Sequence, residues 1–102
     1  MCGILGIISS DTNTNVASEL FDGSLYLQHR GQDAAGIVTC GRGGRLYQCK
    51  GNGMARDVFT QERMSKLVGN MANAHLRSPT AGSSAQSEPQ PFYVNAPSRI
   101  SL

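Results

Sequence analysis

The sequence lacks tryptophan and has only three Tyr and three Phe. A hydrophobic core therefore has to rest on Leu, Ile, Val and Met rather than on aromatic rings. Hydrophobic residues make up 39% of the 102 positions, which is enough for one core. A chain of this length folds as one small domain and buries roughly 60 to 68% of the surface that its unfolded form exposes.

Charged residues are also few, at 16%. Nine Lys and Arg against seven Asp and Glu give a net charge of +2. The basic residues form no cluster, so no nucleic-acid-binding surface is expected. The longest apolar run, residues 1–8, is far shorter than the roughly 20 residues of a membrane span. No basic residue precedes Arg30, so a signal peptide is not expected either. We expect a cytoplasmic protein with no nucleic-acid or membrane partner.

Cysteine is scarce as well: Cys2, Cys40 and Cys49 form no C-x-x-C pair and match no zinc-binding pattern. The odd number argues against a disulfide framework, and reduced thiols are the expectation. Cys40 and Cys49 lie in strand-like segments and are interpreted as packing residues. A redox or metal-binding module has only the cysteine count in its favour.

Hydrophobic periodicity predicts an α+β fold with antiparallel sheet. The apolar run at residues 3–8 predicts a buried strand, and Gly41 to Gly44 predict a hairpin between two strands. Residues 78–90 are small, polar and proline-bearing, which is typical of a surface loop. The further predicted strands are at residues 34–40, 45–50, 70–77, 91–95 and 100–102, and the helices at 16–28 and 57–67.

Cys2 is the first candidate for chemistry. Removal of Met1, which a small second residue permits, would make Cys2 the first residue of the chain. Its α-amine, with a reference pKa of about 7.7 to 8.0, would then be a built-in base beside the thiol. An N-terminal amine is an established activator of a nucleophile. From position alone, a small buried hydrophobic residue or a lipidation site is the commoner case.

Arg77 ends a predicted strand and is a planar donor suited to a carboxylate, with the hydroxyl of Thr80 three residues on. Taken alone, a solvated Arg beside a loop is the commoner case. His75 lies two residues earlier, on the same strand face. It could orient a site residue, although a structural histidine with satisfied hydrogen bonds is the commoner case, and no catalytic role is assigned to it. In residues 29–33 (HRGQD), Gly31 allows close approach of another backbone segment, although an ordinary polar turn is the alternative.

Taken together, several segments resemble one family, the amidophosphoribosyltransferases, over nearly the whole chain. RGQDAAG, combined with PTAGSS and QPFYVN, distinguishes this family from other amidotransferases with an N-terminal nucleophile. The segments are MCGILGI at 1–7, LQHRGQDAAG at 27–36, NG at 52–53, DVF at 57–59 and the stretch at 75–95.

The resemblance implies an N-terminal-nucleophile hydrolase fold, in which two antiparallel sheets are sandwiched between helical layers. It implies that Cys2 attacks the side-chain amide of glutamine and releases ammonia. By the same likeness, Arg77 binds the glutamine α-carboxylate, Thr80 lies beside it, and Arg30 belongs to the loop that frames Cys2. The resemblance also implies that the glutaminase reaction needs no cofactor.

The same resemblance implies that residues 1–102 are the N-terminal part of a class II glutamine amidotransferase domain, in a homo-oligomeric enzyme. A second domain, absent from the sequence, would bind phosphoribosyl pyrophosphate with magnesium. The family's oxyanion-hole segment, His-Asn-Gly-Asn, is expected after Leu102, so these residues alone are expected to be inactive. The alternative is a truncated, non-catalytic fragment that serves as a partner-binding or regulatory module.

Overall fold

The fold is an antiparallel sheet with three helices. It is seen in a computed structural model that describes residues 2–78, 90, 91, 93, 94, 100 and 101. Of these, residues 93, 94, 100 and 101 are described by their backbone alone. The four longer strands are β1 (Gly3–Ile8), β2 (Ala34–Cys40), β3 (Leu46–Asn52) and β4 (Met71–Arg77). Two short strands, β5 (Tyr93–Val94) and β6 (Ile100–Ser101), pair with each other. The helices are α1 (Ala17–Tyr26), α2 (Ala55–Val58) and α3 (Gln61–Met64), with 3₁₀ turns at Gln28–Arg30 and Arg42–Gly44. The predicted α+β arrangement with antiparallel sheet is confirmed.

Strand order in the larger sheet is β1-β4-β2-β3, so β4 lies between the two strands that come before it in the chain. Gly3 pairs with Leu76 on one side of β4, and Ala34 pairs with Arg77 on the other. All neighbours are antiparallel. The starts of β1 and β2 therefore meet the end of β4 at one end of the sheet.

Helix α1 covers one face of this sheet, called here the inner face. Leu20 of α1 packs in one buried cluster with Ile37 of β2 and Leu76 of β4, and each is at most 1% exposed. Burying one such side chain stabilises the fold by about 1.5 to 3 kcal/mol. Phe21 extends the cluster through an edge-to-face contact with Phe59, with the ring centroids 6.3 Å apart. The described helices include none with the length and apolar character needed to cross a membrane.

The opposite, outer face of the sheet is partly open, and here the prediction of a buried first strand is wrong. Ile4 and Ile8 of β1 are 71% and 76% exposed, while Gly3 is buried. Successive side chains of a strand point to opposite faces, so a helix on one face buries only every second residue. The apolar run at residues 3–8 thus presents half of its side chains away from α1.

The predicted helix at residues 57–67 is also wrong, because two short helices occupy this region. The backbone is non-helical at Phe59 and Thr60. The Thr60 hydroxyl accepts a hydrogen bond from the Arg63 backbone N–H at 3.3 Å, which caps the start of α3. Phe59, 3% exposed, points into the core beside Phe21. A new helix start and a buried aromatic ring therefore interrupt the predicted helix.

The remaining predicted elements lie within two residues of those observed, except where the chain is not described. Strands β1 and β2 have the predicted bounds, and β3 runs to Asn52 instead of residue 50. The surface loop predicted at residues 78–90 falls mostly outside the described residues. Where the chain is described again, Pro91 is buried against the outer face, and its carbonyl accepts a hydrogen bond from Lys50 Nζ at 3.3 Å.

Candidate functional site

The predicted site residues Cys2, Arg30 and Arg77 come together at the end of the sheet where β4 finishes. Cys2 directly precedes Gly3, whose partner is Leu76, so the same register brings Cys2 opposite Arg77. Residues that face each other in antiparallel strands project their side chains to the same side. The topology therefore places a thiol and a guanidinium on the outer face, at one end of the sheet.

The loop that follows α1 contacts the backbone of Cys2, which precedes β1, and packs against β4, which ends at Arg77. Arg30 Nε donates a hydrogen bond to the Cys2 carbonyl oxygen at 3.3 Å. A Cβ atom on Gly31 would lie 2.5 Å from the carbonyl carbon and oxygen of Leu76, so the loop backbone presses directly on β4. The close approach predicted for Gly31 is confirmed. Gln28 fixes the start of the loop, since its Oε1 accepts a hydrogen bond from the Ala55 N–H at 2.7 Å.

Arg77 is paired with Asp33, a residue that the sequence reasoning did not single out. Arg77 Nε donates to Asp33 Oδ2 at 3.0 Å, and Nη2 donates to the same oxygen. The two backbones are also joined, because the Asp33 N–H donates to the Arg77 carbonyl at 3.0 Å. The side chains of Arg77 and Asp33 are 13% and 27% exposed, so this ion pair is half-buried.

A polar cavity of about 420 Å³ opens beside this pair. Its volume falls within the range of small-molecule sites, roughly 300 to 1,000 Å³. Among the described residues, Arg77 does not line it, but its partner Asp33 and its successor Ser78 do. The lining residues are His29, Arg30, Gly31, Gln32, Asp33 and Ser78.

Cys2 is the exposed member of the three cysteines. Cys49 is buried, and its thiol lies 3.7 Å from the Val58 carbonyl oxygen. Burial raises the pKa of Cys49, and the positive charge of Arg63 offsets part of that rise. Cys49 is thus a packing residue, as predicted, and Cys40 is half-buried. Of the three cysteines, Cys2 is therefore the most accessible.

His75 lies on the same face of β4 as Arg77 and pairs with Ile4 and Gly36 in the neighbouring strands. Its Nδ1 is buried and makes no hydrogen bond with the described part of the chain. Burial lowers the pKa of His75, and the charge of Arg77 lowers it further. A neutral imidazole therefore lies next to the guanidinium at neutral pH.

One predicted site residue cannot be placed. Thr80 lies outside the described residues, so its position beside Arg77 stays a prediction. Within the described ranges, no three His, Cys, Asp or Glu side chains form a group that could hold a metal ion.

Sequence comparisons extend over the whole chain. No family model matches it. All 102 residues align, at 74% identity, with the amidophosphoribosyltransferase of Lachancea kluyveri, and at 71% with that of Saccharomyces cerevisiae. The chain spans about a fifth of the length of these relatives, 20% in both cases.

Structural comparison gives the same result. The solved structure of glutamine phosphoribosylpyrophosphate amidotransferase from B. subtilis, complexed with ADP and GMP, superposes with a TM-score of 0.75 at 30% identity. The match covers 94% of this chain and 19% of that one. The resemblance predicted from the sequence motifs is confirmed.

Proposed function

We propose that this chain, which over all its 102 residues is similar to the N-terminal region of amidophosphoribosyltransferases, forms the glutamine-hydrolysing side of such an enzyme. The observation that carries the proposal is the meeting of an exposed Cys2, Arg30 and Arg77 at one end of the sheet. A cavity large enough for an amino acid is lined by Arg30 and by Asp33, the partner of Arg77; Cys2 and Arg77 are not among its described lining residues.

In the proposed half-reaction, Cys2 Sγ forms a bond to the side-chain amide carbon of glutamine. The α-amine, free after removal of Met1, takes the thiol proton and passes it to the leaving nitrogen. The carbon–nitrogen bond breaks, ammonia leaves, and a thioester remains. Water then attacks the thioester, so that glutamate leaves and the thiol is restored.

By resemblance, Arg77 is assigned to bind the glutamine α-carboxylate, and Thr80 is assigned a place beside it. Arg77 lies at the end of the central strand β4, and this position supports its assignment, because a strand end holds a side chain more rigidly than a free loop does. Arg30 is assigned to the frame around Cys2, and its 3.3 Å hydrogen bond to the Cys2 carbonyl supports that role.

The ammonia is proposed to pass to phosphoribosyl pyrophosphate, in the first step of purine synthesis. By resemblance, magnesium would serve that transfer step in the second, phosphoribosyl-transferring domain. By resemblance alone, the enzyme is further proposed to be cytoplasmic and homo-oligomeric.

The sandwich of two sheets also belongs to this proposal. Ile4, Ile8 and Met71 leave an apolar patch on the outer face of the sheet, and each is at least 41% exposed. Antiparallel sheets packed face to face bury such a patch between them. We propose that residues 1–102 supply one sheet and part of a second, within an N-terminal-nucleophile hydrolase domain.

The same apolar patch also fits a second candidate function, that of a non-catalytic module that binds a partner protein. Contiguous exposed apolar residues mark interaction sites in soluble proteins, so a non-catalytic, partner-binding module would present a similar face. An exposed thiol and a guanidinium at the same end of the sheet favour the enzyme, since partner binding through the patch requires neither group.

The test uses a chimera, in which residues 1–102 replace the matching segment of the Lachancea kluyveri enzyme. Cys2→Ala should abolish glutamine-dependent synthesis and leave ammonia-dependent synthesis, because only the nucleophile is removed. Cys40→Ala is the matched control and should retain both. Retention of glutamine-dependent synthesis by Cys2→Ala would contradict the proposal. So would full activity of a chimera that intact-mass analysis finds to retain Met1.

A further inference from the structure

We propose that Asp33 is a positioning residue for Arg77: it holds one edge of the guanidinium so that the other edge faces the glutamine α-carboxylate. The proposal rests on the function proposed above and adds a residue to it. Asp33 would not touch the reacting atoms. It would set the orientation and the charge of the group that binds the substrate.

The hydrogen bonds of the pair define which edge is held. Arg77 Nε donates to Asp33 Oδ2 at 3.0 Å, and Nη2 donates to the same oxygen. A guanidinium carries five N–H donors in a fixed planar fork, and these two belong to its side edge. The end edge is formed by one N–H of Nη1 and the second N–H of Nη2. These two parallel donors match the two oxygens of another carboxylate. Arg77 can therefore contact Asp33 and a substrate at the same time.

Backbone contacts make Asp33 a fixed anchor. Its N–H donates to the Arg77 carbonyl at 3.0 Å, and its carbonyl accepts from the Gly53 N–H at 2.7 Å. The next residue, Ala34, is paired with Asn52 and with Arg77 at the start of β2. Because strands hold the Asp33 backbone on both sides, its carboxylate can move only by rotation about its own side-chain bonds. This arrangement favours orientation of Arg77 over a gate that opens for the substrate.

Charge supports the same role. The Arg77 side chain is 13% exposed, and a largely buried cation without a partner is costly. Asp33 neutralises that charge while the two donors of the end edge remain for the substrate. The cavity is then lined by Arg30 and by Asp33, groups of opposite sign. Such a lining suits an amino-acid zwitterion better than a ligand that carries two negative charges.

The experiment measures glutamine and ammonia kinetics in the chimera. Asp33→Ala should raise the glutamine KM by about tenfold or more, with kcat and the ammonia-dependent rate within about twofold. Asp33→Asn keeps an acceptor oxygen and should give a smaller rise. Asp22→Ala, an exposed Asp on α1, is the matched control and should change neither parameter.

Coupling between the two residues separates positioning from a general structural role. If Asp33 acts through Arg77, Asp33→Ala should have little further effect on KM once Arg77 is Lys. Additive effects of the two substitutions would overturn the proposal. An unchanged KM in Asp33→Asn, whether or not the thermal midpoint falls, would overturn it as well. Absence of Cys2-dependent glutamine turnover in the parent chimera would instead overturn the proposed function.

Discussion

Arg30 Nε and the carbonyl oxygen of Cys2 lie 3.3 Å apart, although 28 residues separate them in sequence. The contact ties the loop after α1 to the backbone of Cys2 and leaves the thiol exposed. Gly3 is buried beneath the same loop, close to the Cβ of Arg30. The backbone at Cys2 is thus held in place while its side chain stays accessible.

Arg77→Lys should raise the glutamine KM of the chimera by about tenfold or more, because a point charge replaces a planar fork. The ammonia-dependent rate should stay unchanged. Steady-state kinetics with each nitrogen donor measure both quantities. Arg56→Lys, on an exposed turn of α2, is the control. An unchanged glutamine KM would remove Arg77 from the binding site.

Gly31→Ala should destabilise the chain by about 1 to 3 kcal/mol, because the new methyl group would meet the Leu76 backbone at 2.5 Å. Neither segment can retreat without disturbing the pairing of β4. Urea unfolding followed by circular dichroism measures the change. Gly6→Ala is the control, since its nearest neighbour, the Ala72 carbonyl oxygen, would lie at 3.8 Å. Equal stability of the two variants would refute the close approach.

Stability should fall as the pH drops below about 6.5, through His75. Burial, reinforced by the charge of Arg77, lowers the pKa of His75 in the folded chain. The unfolded chain therefore takes up the proton first, so protonation favours unfolding below the ordinary pKa. Urea midpoints from about pH 7.5 to about pH 5.5 measure this slope, which His75→Gln should reduce and His29→Gln should not. An identical slope in wild type and His75→Gln would contradict the prediction.

Ile8→Ser distinguishes an open outer face from a covered one. In the chain alone, Ile8 is 76% exposed, and the substitution should change stability by no more than about 0.5 kcal/mol. In the chimera, a second sheet over this face would raise the cost to about 1 to 3 kcal/mol. Thermal midpoints of both proteins measure the difference, with Leu25→Ser on α1 as control. Equal small shifts in both proteins would argue against the sandwich.

Strand positions could be predicted from sequence because each strand is a compact apolar or alternating segment bounded by turn residues. The bounds of β1 and β2 follow directly from the runs at residues 3–8 and 34–40. Burial of β1 could not be predicted, since an apolar run does not reveal how many faces of a sheet are covered. The break at Phe59 was missed because an apolar residue continues a helical pattern even where Thr60 starts a new helix.

Part of the candidate site could likewise be predicted from sequence, and part could not. Cys2 and Arg77 carry local signals, namely a cysteine after the initiator Met and an Arg at a strand end. The pairing of Arg77 with Asp33 depends on the register of β2 against β4, which joins residues far apart in sequence. Asp33 directly precedes an apolar strand, a position that polar residues often occupy. Its local sequence therefore gave no reason to select it.

The strand order β1-β4-β2-β3 has a consequence for the order of events during synthesis. β1 emerges from the ribosome first, yet its partner in the sheet, β4, is made only after residues 71–77 are added. At about 5 to 20 residues per second, the start of the chain waits roughly 4 to 15 s for that partner. Loop closure over this distance is also slow compared with pairing of the β2–β3 hairpin. Under the proposed function, this interval leaves Met1 open to an aminopeptidase, so that processing of the N-terminus precedes assembly of the site.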